Sequence, residues 1–326
     1  MKSDFLPTAS LEMLRQRAKL LKRIRQFFDD REFLEVVTPV LSHDTVVDRY
    51  IEPIRVLSTD VGLAGEQVDL WLQTSPEFAM KRILAAGEAG AIYQIAHAFR
   101  AGEAGAKHNP EFSMLEWYRV GDDQQQGIQL LGEFACEIFD VEKFDKLEYH
   151  SLFQRHVVID GLSENVSEFV AAAQDAKLDI AAFQGVNDIN AWRNLLLTEV
   201  IEPQLGQSKP VIVYDWPASQ SALATCRPGE PPVAERFELY YRGTELANGY
   251  HELLDAQELQ LRNREINAKR VADGKQALPE SSRLLAAMES GIQPCSGVAV
   301  GVDRVLMLLC DKQNISDVMS FPISTA

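Results

Sequence analysis

Gly297-Val298-Ala299-Val300-Gly301-Val302-Asp303-Arg304 is predicted to be an apolar strand of small residues that ends in Asp-Arg and passes straight into the apolar segment Val305 to Leu309. Small residues let a ligand lie against the backbone. An arginine at the end of such a strand can fork onto phosphate. Arg100 repeats the arrangement: it closes the run Ala91 to Arg100 and precedes the loop Ala101 to Pro110. Two arginines at strand ends, with acidic strands between them in sequence, predict a nucleotide triphosphate held on a sheet.

Leu11, Leu14, Ala18, Leu21, Ile24 and Phe27/Phe28 recur at helical spacing, which predicts an amphipathic helix over Ser10 to Arg31 with Ser10 as its N-cap. Glu35 to Pro39 reads as extended, Leu70 to Gln73 as a short strand, and Pro76 to Ala86 as a helix. Ala91 to Arg100 and Glu111 to Arg119 read as two strands. The loop between them is too long and too charged for a tight hairpin turn, so it is a candidate substrate-covering loop. From Gln124 to Gly206 the pattern is mostly helical. Val211 to Trp216 returns to strand. Ala234 to Arg242 and Glu245 to Leu253 are adjacent strands, and a charged helix covers Asp255 to Asp273. Strands beside strands, with helices inserted between groups, predict an α+β fold with an antiparallel β-sheet flanked by helices.

The 326 residues permit one large domain or two small ones. A formal charge of −16 makes a poor generic nucleic-acid binder, because phosphate contacts need Lys or Arg. The basic cluster Arg15 to Arg25 is interleaved with apolar residues and reads as the wet face of a helix. Cys136, Cys226, Cys295 and Cys310 are scattered and read as reduced, mostly buried thiols of a cytosolic protein. There is no signal-peptide pattern and no apolar run long enough to span a bilayer, so a cytoplasmic protein with no membrane partner is expected.

Glu238, Glu245 and Glu252 lie seven residues apart. Across two strands joined by a short turn, the first two are expected to face each other, where paired carboxylates hold Mg²⁺ together with substrate phosphates. Spacing alone leaves solvated acids on an exposed face equally open. The small, apolar stretch Leu246-Ala247-Asn248-Gly249-Tyr250 favours the site. Glu116 and Tyr118 share one strand face by period two and, with Glu252, are candidates for an acidic recess around an ammonium group. Glu116 paired with a nearby arginine is the alternative. Ser75-Pro76-Glu77 sits at a strand-to-helix turn, with Ser75 as cap, Pro76 at the first helical position and Glu77 placed to meet a second amine. His108 and His251 read as hydrogen-bonding groups rather than catalytic bases, and no protein nucleophile is indicated.

These residues also carry a resemblance. Phe99-Arg100 with His108-Asn109-Pro110-Glu111-Phe112 resembles motif 2 of class II aminoacyl-tRNA synthetases in its lysyl form, and Gly297 to Arg304 resembles motif 3. Glu35-Val36-Val37-Thr38-Pro39 is similar to motif 1. Glu245-Leu246-Ala247-Asn248-Gly249 and Thr74-Ser75-Pro76-Glu77 are also of lysyl type. The resemblance runs from Leu11 to the C-terminus. It implies one class II synthetase-like catalytic domain over residues 1–326, with a helical insertion at about 146–210 and no anticodon-binding domain. It is nearest to stand-alone paralogues that attach β-lysine to a lysine of elongation factor P.

The resemblance implies ATP and Mg²⁺, with Arg100 on the α-phosphate, Arg304 on the γ-phosphate and Mg²⁺ on Glu238 and Glu245. Asn109, Leu246 and Gly301 line the nucleotide site. Motif 2 of the family reads Arg-x-Glu, but here Ala101 and Gly102 follow Arg100, so the adenine contact passes to Glu103. Glu116, Tyr118 and Glu252 hold the side-chain ammonium, and Ser75, Pro76 and Glu77 the other amine. Ala299 stands where lysyl-tRNA synthetases have glycine. An added methyl in a close-packed pocket costs about 1–3 kcal/mol, which penalises α-lysine and suits an amine moved one carbon along. Elongation factor P as acceptor, β-lysine as substrate, a homodimer through the motif 1 helix and no activity on tRNA complete the expectation. A truncated lysyl-tRNA synthetase or other amino-acid ligase, and a non-catalytic regulatory subunit, are the alternatives; Arg100, Arg304 and the acidic pair argue against the last.

Overall fold

The computed structural model describes residues 5–62 and 69–326. In chain order the elements are α1 (Leu11–Asp29), β1 (Leu34–Glu35), β2 (Leu41–Ser42), β3 (Ile54–Leu57), β4 (Asp69–Leu72), α2 (Glu77–Ala85), β5 (Ala91–Phe99), β6 (Glu111–Val120), α3 (Gln124–Phe139) and β7 (Asp145–Glu148). There follow α4 (Tyr149–Val157), α5 (Val166–Asp175), α6 (Ile189–Leu196), β8 (Val211–Pro217), β9 (Cys226–Arg227), β10 (Val233–Tyr241), β11 (Thr244–His251), α7 (Ala256–Ala272), α8 (Arg283–Gly291), β12 (Cys295–Gly301) and α9 (Val302–Leu309). The fold is mixed α+β with mainly antiparallel pairing, as expected. The chain divides into two compact units: the residues up to Gly121 together with Leu253–Ala326, and Asp122–Glu252.

In the first unit the strand order is β1-β5-β6-β12, with β1 parallel to β5 and the other pairs antiparallel. Tyr93 pairs with Trp117 across β5 and β6, and both side chains point to one face. Phe28 of α1 closes that face, stacked on Tyr93 at 4.6 Å and tilted against Trp117 at 5.2 Å. The opposite face carries Glu116 and Tyr118. α1 begins where Ser10 accepts the Met13 N–H, as its sequence predicts. Its buried stripe is Met13, Leu20, Ile24, Phe27 and Phe28. That stripe is rotated from the predicted one, because Leu11 is 64% exposed and Ala18 is exposed as well. Leu11, Leu14, Ala18 and Leu21 thus form a second, less buried apolar strip at i, i+3, i+4 spacing.

β2, β4 and β3 make a separate small antiparallel sheet, of which only the β4 region was predicted. Strands of two to four residues carry too little alternation to be read. α8 was likewise not foreseen. α7 begins at Asp255, whose side chain accepts from the Gln257 and Glu258 N–H groups.

In the second unit the order is β11-β10-β8-β7, with β9 on β10 and β7 parallel to β8. The predicted helical stretch therefore contains a strand, β7, after α3, at the start of the predicted insertion. Tyr149 of α4, Phe169 of α5, Trp192 of α6, Trp216 and Tyr240 share one buried cluster. Arg193 of α6 is wholly buried and donates to the Gly161 and Ser163 carbonyls at 3.0 and 2.8 Å. With the bonds from Nη1 to Asn190 and Ser219 they satisfy the guanidinium, and they fix the chain between α4 and α5. Phe139 of α3 packs on Tyr241, on the other side of β10.

All four cysteines are free thiols, but only Cys295 is buried. No described helix is long and apolar enough to cross a membrane.

Candidate active site

The strand of small residues ends sooner than its sequence suggests. β12 stops at Gly301, and Asp303 and Arg304 lie in the first turn of α9. Asp303 explains the turn. Its buried carboxylate accepts the Ser113 N–H from β6 at 2.7 Å and Arg17 Nη1 from α1 at 2.7 Å, pulling the chain out of the strand. Burial lifts the Asp303 carboxyl above its usual value, and Arg17 draws it back.

Arg304 reaches from α9 to the predicted covering loop. Its Nη2 lies 2.6 Å from His108 Nε2, and its Nε is 3.5 Å from the Lys107 carbonyl. Arg100 leaves β5 at the other end of the same loop. Its Nε donates to the Thr74 carbonyl at 3.3 Å, its Nη1 lies 3.9 Å from Glu103, and its guanidinium sits 5.0 Å from the centre of the Phe112 ring. The structure thus brings the two arginines to one ten-residue loop. Phe112, the ring beside Arg100, belongs to the motif 2 resemblance, and its only signal in the sequence is an aromatic two residues after the loop's proline. Asn109 is buried at the loop's base, donating to the Glu111 carbonyl at 2.6 Å and accepting the Ile323 N–H at 3.0 Å. A Cβ on Gly301 would meet the Arg304 side chain at 3.8 Å, so the glycine and the arginine border the same space.

The strand pairing sets the acidic recess. Glu116 stands directly opposite Ala299, Tyr118 opposite Gly297, and Met114 opposite Gly301. Directly opposed residues share a face, so Gly297, Ala299 and Gly301 make a low floor beside Glu116 and Tyr118. Glu116 is 1% exposed, and its Oε1 accepts the Tyr118 hydroxyl at 2.6 Å. On the neighbouring strand Gln94 lies opposite Glu116 and accepts from the buried Thr38 hydroxyl at 2.8 Å. That bond ties the motif 1 segment to the recess.

The Ser75 turn differs by one position from its prediction. Pro76, not Ser75, occupies the cap, and Ser75 Oγ accepts the Glu77 N–H at 3.3 Å. Glu77 already holds an ammonium: Lys81, one turn along α2, donates to its Oε1 at 2.7 Å. Sequence reasoning missed Lys81, although a Glu-x-x-x-Lys spacing is a legible helix pair. The Thr74 carbonyl, which holds Arg100, immediately precedes Ser75. Phosphate-binding and amine-binding candidates therefore share one stretch of chain.

In the second unit, Glu238 does not lie directly across from Glu245. Glu238 pairs with Asn248, and Glu245 pairs with Tyr240. A β-bulge leaves Leu246 as the extra residue, unopposed and buried, and shifts the rest of β11 by one. Tyr240 donates to Glu238 Oε2, so Glu238, Tyr240 and Glu245 share a face and the acids are diagonal neighbours. Arg236 donates to Glu238 Oε1 and lies 4.3 Å over the Trp216 ring. It is a further residue that the sequence did not reveal. Burial pushes the Glu238 carboxyl up to about 7; Arg236 opposes this and Glu245 adds to it. Glu252 is buried just past the end of β11, and its backbone carbonyl accepts the Thr225 hydroxyl at 3.0 Å. His251 is committed to Glu235 at 2.5 Å, a hydrogen-bonding role as expected.

Among the described residues no group of three or more His, Cys, Asp or Glu is arranged to hold a metal. The Glu238–Glu245 pair fits a dication that draws its remaining oxygens from phosphate, because a divalent charge would offset both the burial that chiefly raises Glu238 and the repulsion that Glu245 adds.

The model for class II tRNA synthetases of the D, K and N type matches residues 4–325. The chain belongs to the class II tRNA synthetase family. Within this class II family it is similar to the elongation factor P–(R)-β-lysine ligase of Vibrio vulnificus, 44% identical over 327 residues and 100% of both chains. It is similar to the ligase of the same name from Proteus mirabilis, at 42% over 99% of both chains. The Klebsiella pneumoniae ligase is also 42% identical, over 98% of both chains.

Proposed function

We propose that this chain activates (R)-β-lysine with ATP and transfers it to the ε-amine of a lysine on elongation factor P. What carries the reading is the end-to-end similarity to ligases of that name, at 42–44% identity. The β-lysine carboxylate attacks the α-phosphorus and pyrophosphate leaves, giving the aminoacyl adenylate. The acceptor amine then attacks the acyl carbon, AMP leaves, and an amide forms as the amine gives up its proton.

Arg100 neutralises the α-phosphate and Arg304 the γ-phosphate, so catalysis is positioning and electrostatics without a protein nucleophile. Glu103, Asn109, Leu246 and Gly301 line the nucleotide. Glu238 and Glu245 would hold Mg²⁺, which when bound would supply positive charge to offset that of the phosphates. Glu116, Tyr118 and Glu252 take one ammonium of the substrate, and Ser75, Pro76 and Glu77 the other. The half-exposed apolar strip of α1, with Val37 at 90% exposure just beyond it, supports a homodimer formed through the motif 1 helix. The ligase works in the cytoplasm on a protein rather than on tRNA.

The test is mass spectrometry of elongation factor P after incubation with this protein, ATP and either α- or β-lysine. An added lysyl group, of the mass of lysine less water, that forms preferentially with β-lysine is expected. Robust charging of tRNA by the purified protein would restore the synthetase reading.

Ala299→Gly probes the floor opposite Glu116. Removing one methyl is expected to raise kcat/KM for α-lysine in ATP–pyrophosphate exchange by about tenfold. No gain with α-lysine would count against Ala299 as the residue that reads the amine's position.

Magnesium binding should depend on pH. A carboxyl raised from 4.5 to about 7 in the fold favours the native state when protonated, and that stability is lost as pH rises through about 7. The dication needs the deprotonated form. The melting-temperature gain from Mg²⁺ with a non-hydrolysable ATP analogue is therefore expected to grow from pH 6 to pH 8. Glu238→Gln should flatten that slope. A pH-independent gain in the unmodified protein would exclude Glu238 as a ligand.

A further inference from the structure

Lys81 is a charged side chain in the first unit that the proposed mechanism does not use. It is 3% exposed on α2, and its Nζ donates to Glu77 Oε1 at 2.7 Å. The same nitrogen lies 5.9 Å from the centre of the Tyr118 ring on β6. The Tyr118 hydroxyl in turn donates to Glu116 at 2.6 Å. An exposed Glu–Lys pair one helical turn apart is a weak helix stabiliser. Burial changes the balance, because desolvating an ammonium is costly, and helix stability alone does not explain keeping one here.

We propose that Lys81 is a positioning residue that sets amino-acid selectivity, locking Glu77 in one orientation and linking it through the Tyr118 ring to Glu116. The proposal rests on the reading of Glu77 and Glu116 as the acids that meet the substrate's two ammonium groups. The amines of α-lysine and β-lysine differ in separation by one carbon. Two acids held at a fixed spacing can read that difference, whereas a Glu77 free to swing would follow either amine. Ser75 Oγ on the Glu77 N–H holds the backbone end of the same residue. Lys81 holds the carboxylate end.

The experiment is ATP–pyrophosphate exchange with each lysine, for wild type, Lys81→Met and Lys81→Gln, with melting temperature as a fold control. Loss of the lock is expected to raise KM for β-lysine about tenfold and to lower the β-over-α ratio of kcat/KM by a similar factor, about one misplaced methylene's worth. KM for ATP should stay within about twofold, since Arg100 and Arg304 are untouched. A folded variant with an unchanged ratio, or one in which KM for ATP rises in step, would overturn the proposal. If neither variant folds, Glu77→Asp decides. It keeps Lys81 and withdraws the carboxylate by one methylene, and an undiminished ratio would overturn the proposal equally. Wild-type protein that shows no exchange with either lysine would sink the ligase reading itself and the role of Lys81 with it. A wild type active on β-lysine isolates the Lys81 result.

Discussion

Arg100→Ala is expected to depress lysine-dependent ATP–pyrophosphate exchange by about 10³-fold, which corresponds to about 4 kcal/mol of transition-state stabilisation. The effect is electrostatic. Charge builds on the α-phosphate as the carboxylate attacks, and a preorganised guanidinium needs no reorganisation to meet it. Arg100 is preorganised by the Thr74 carbonyl on its Nε, the Phe112 ring beside its plane and Glu103 near its Nη1. Arg100→Lys should recover little, because an ammonium cannot reproduce the planar fork. The side chain is only partly buried, so the variant should fold, and an unchanged melting temperature would certify it. Exchange within about threefold of wild type would remove Arg100 from the phosphate site.

Glu116→Gln is expected to raise KM for β-lysine by about 10²-fold while leaving KM for ATP nearly unchanged. Removing one partner of a buried charged contact costs roughly 2–5 kcal/mol, and about 3 kcal/mol corresponds to that factor. The amide is nearly the same shape. Its oxygen can still accept the Tyr118 hydroxyl, and the floor of Gly297, Ala299 and Gly301 is untouched. What disappears is the negative charge. Isothermal titration of β-lysine, with and without an ATP analogue, separates this from a catalytic defect. Unaltered affinity would show that the substrate's ammonium goes elsewhere.

Much of the fold is legible in the residue pattern. The strands β5, β6, β8, β10, β11 and β12 are long enough to carry pattern, α1 announces itself through Ser10 as its cap, and α7 through its run of charged residues. The short strands β1, β2, β3 and β7 are not legible in this way, since pairing rather than periodicity makes them strands. The start of α9 is also hidden. Val302-Asp303-Arg304 continues an apolar run, and the bonds that Asp303 accepts from Ser113 and Arg17 at the helix start come from residues distant in the chain.

The residue types of the site were determined by the sequence alone: two arginines bounding a loop and a motif 3 strand, acids at Glu116, Glu238, Glu245 and Glu252, and an alanine at position 299. Which of them share a face, and what each meets, was decided by tertiary structure. The bulge at Leu246 brings Asn248 rather than Ala247 opposite Glu238. Lys81 takes up Glu77, Arg236 takes up Glu238, and His108 meets Arg304. The physical reason is that side-chain charge is local and legible, whereas desolvation and pairing depend on neighbours that are distant in the chain and are set only when the backbone closes.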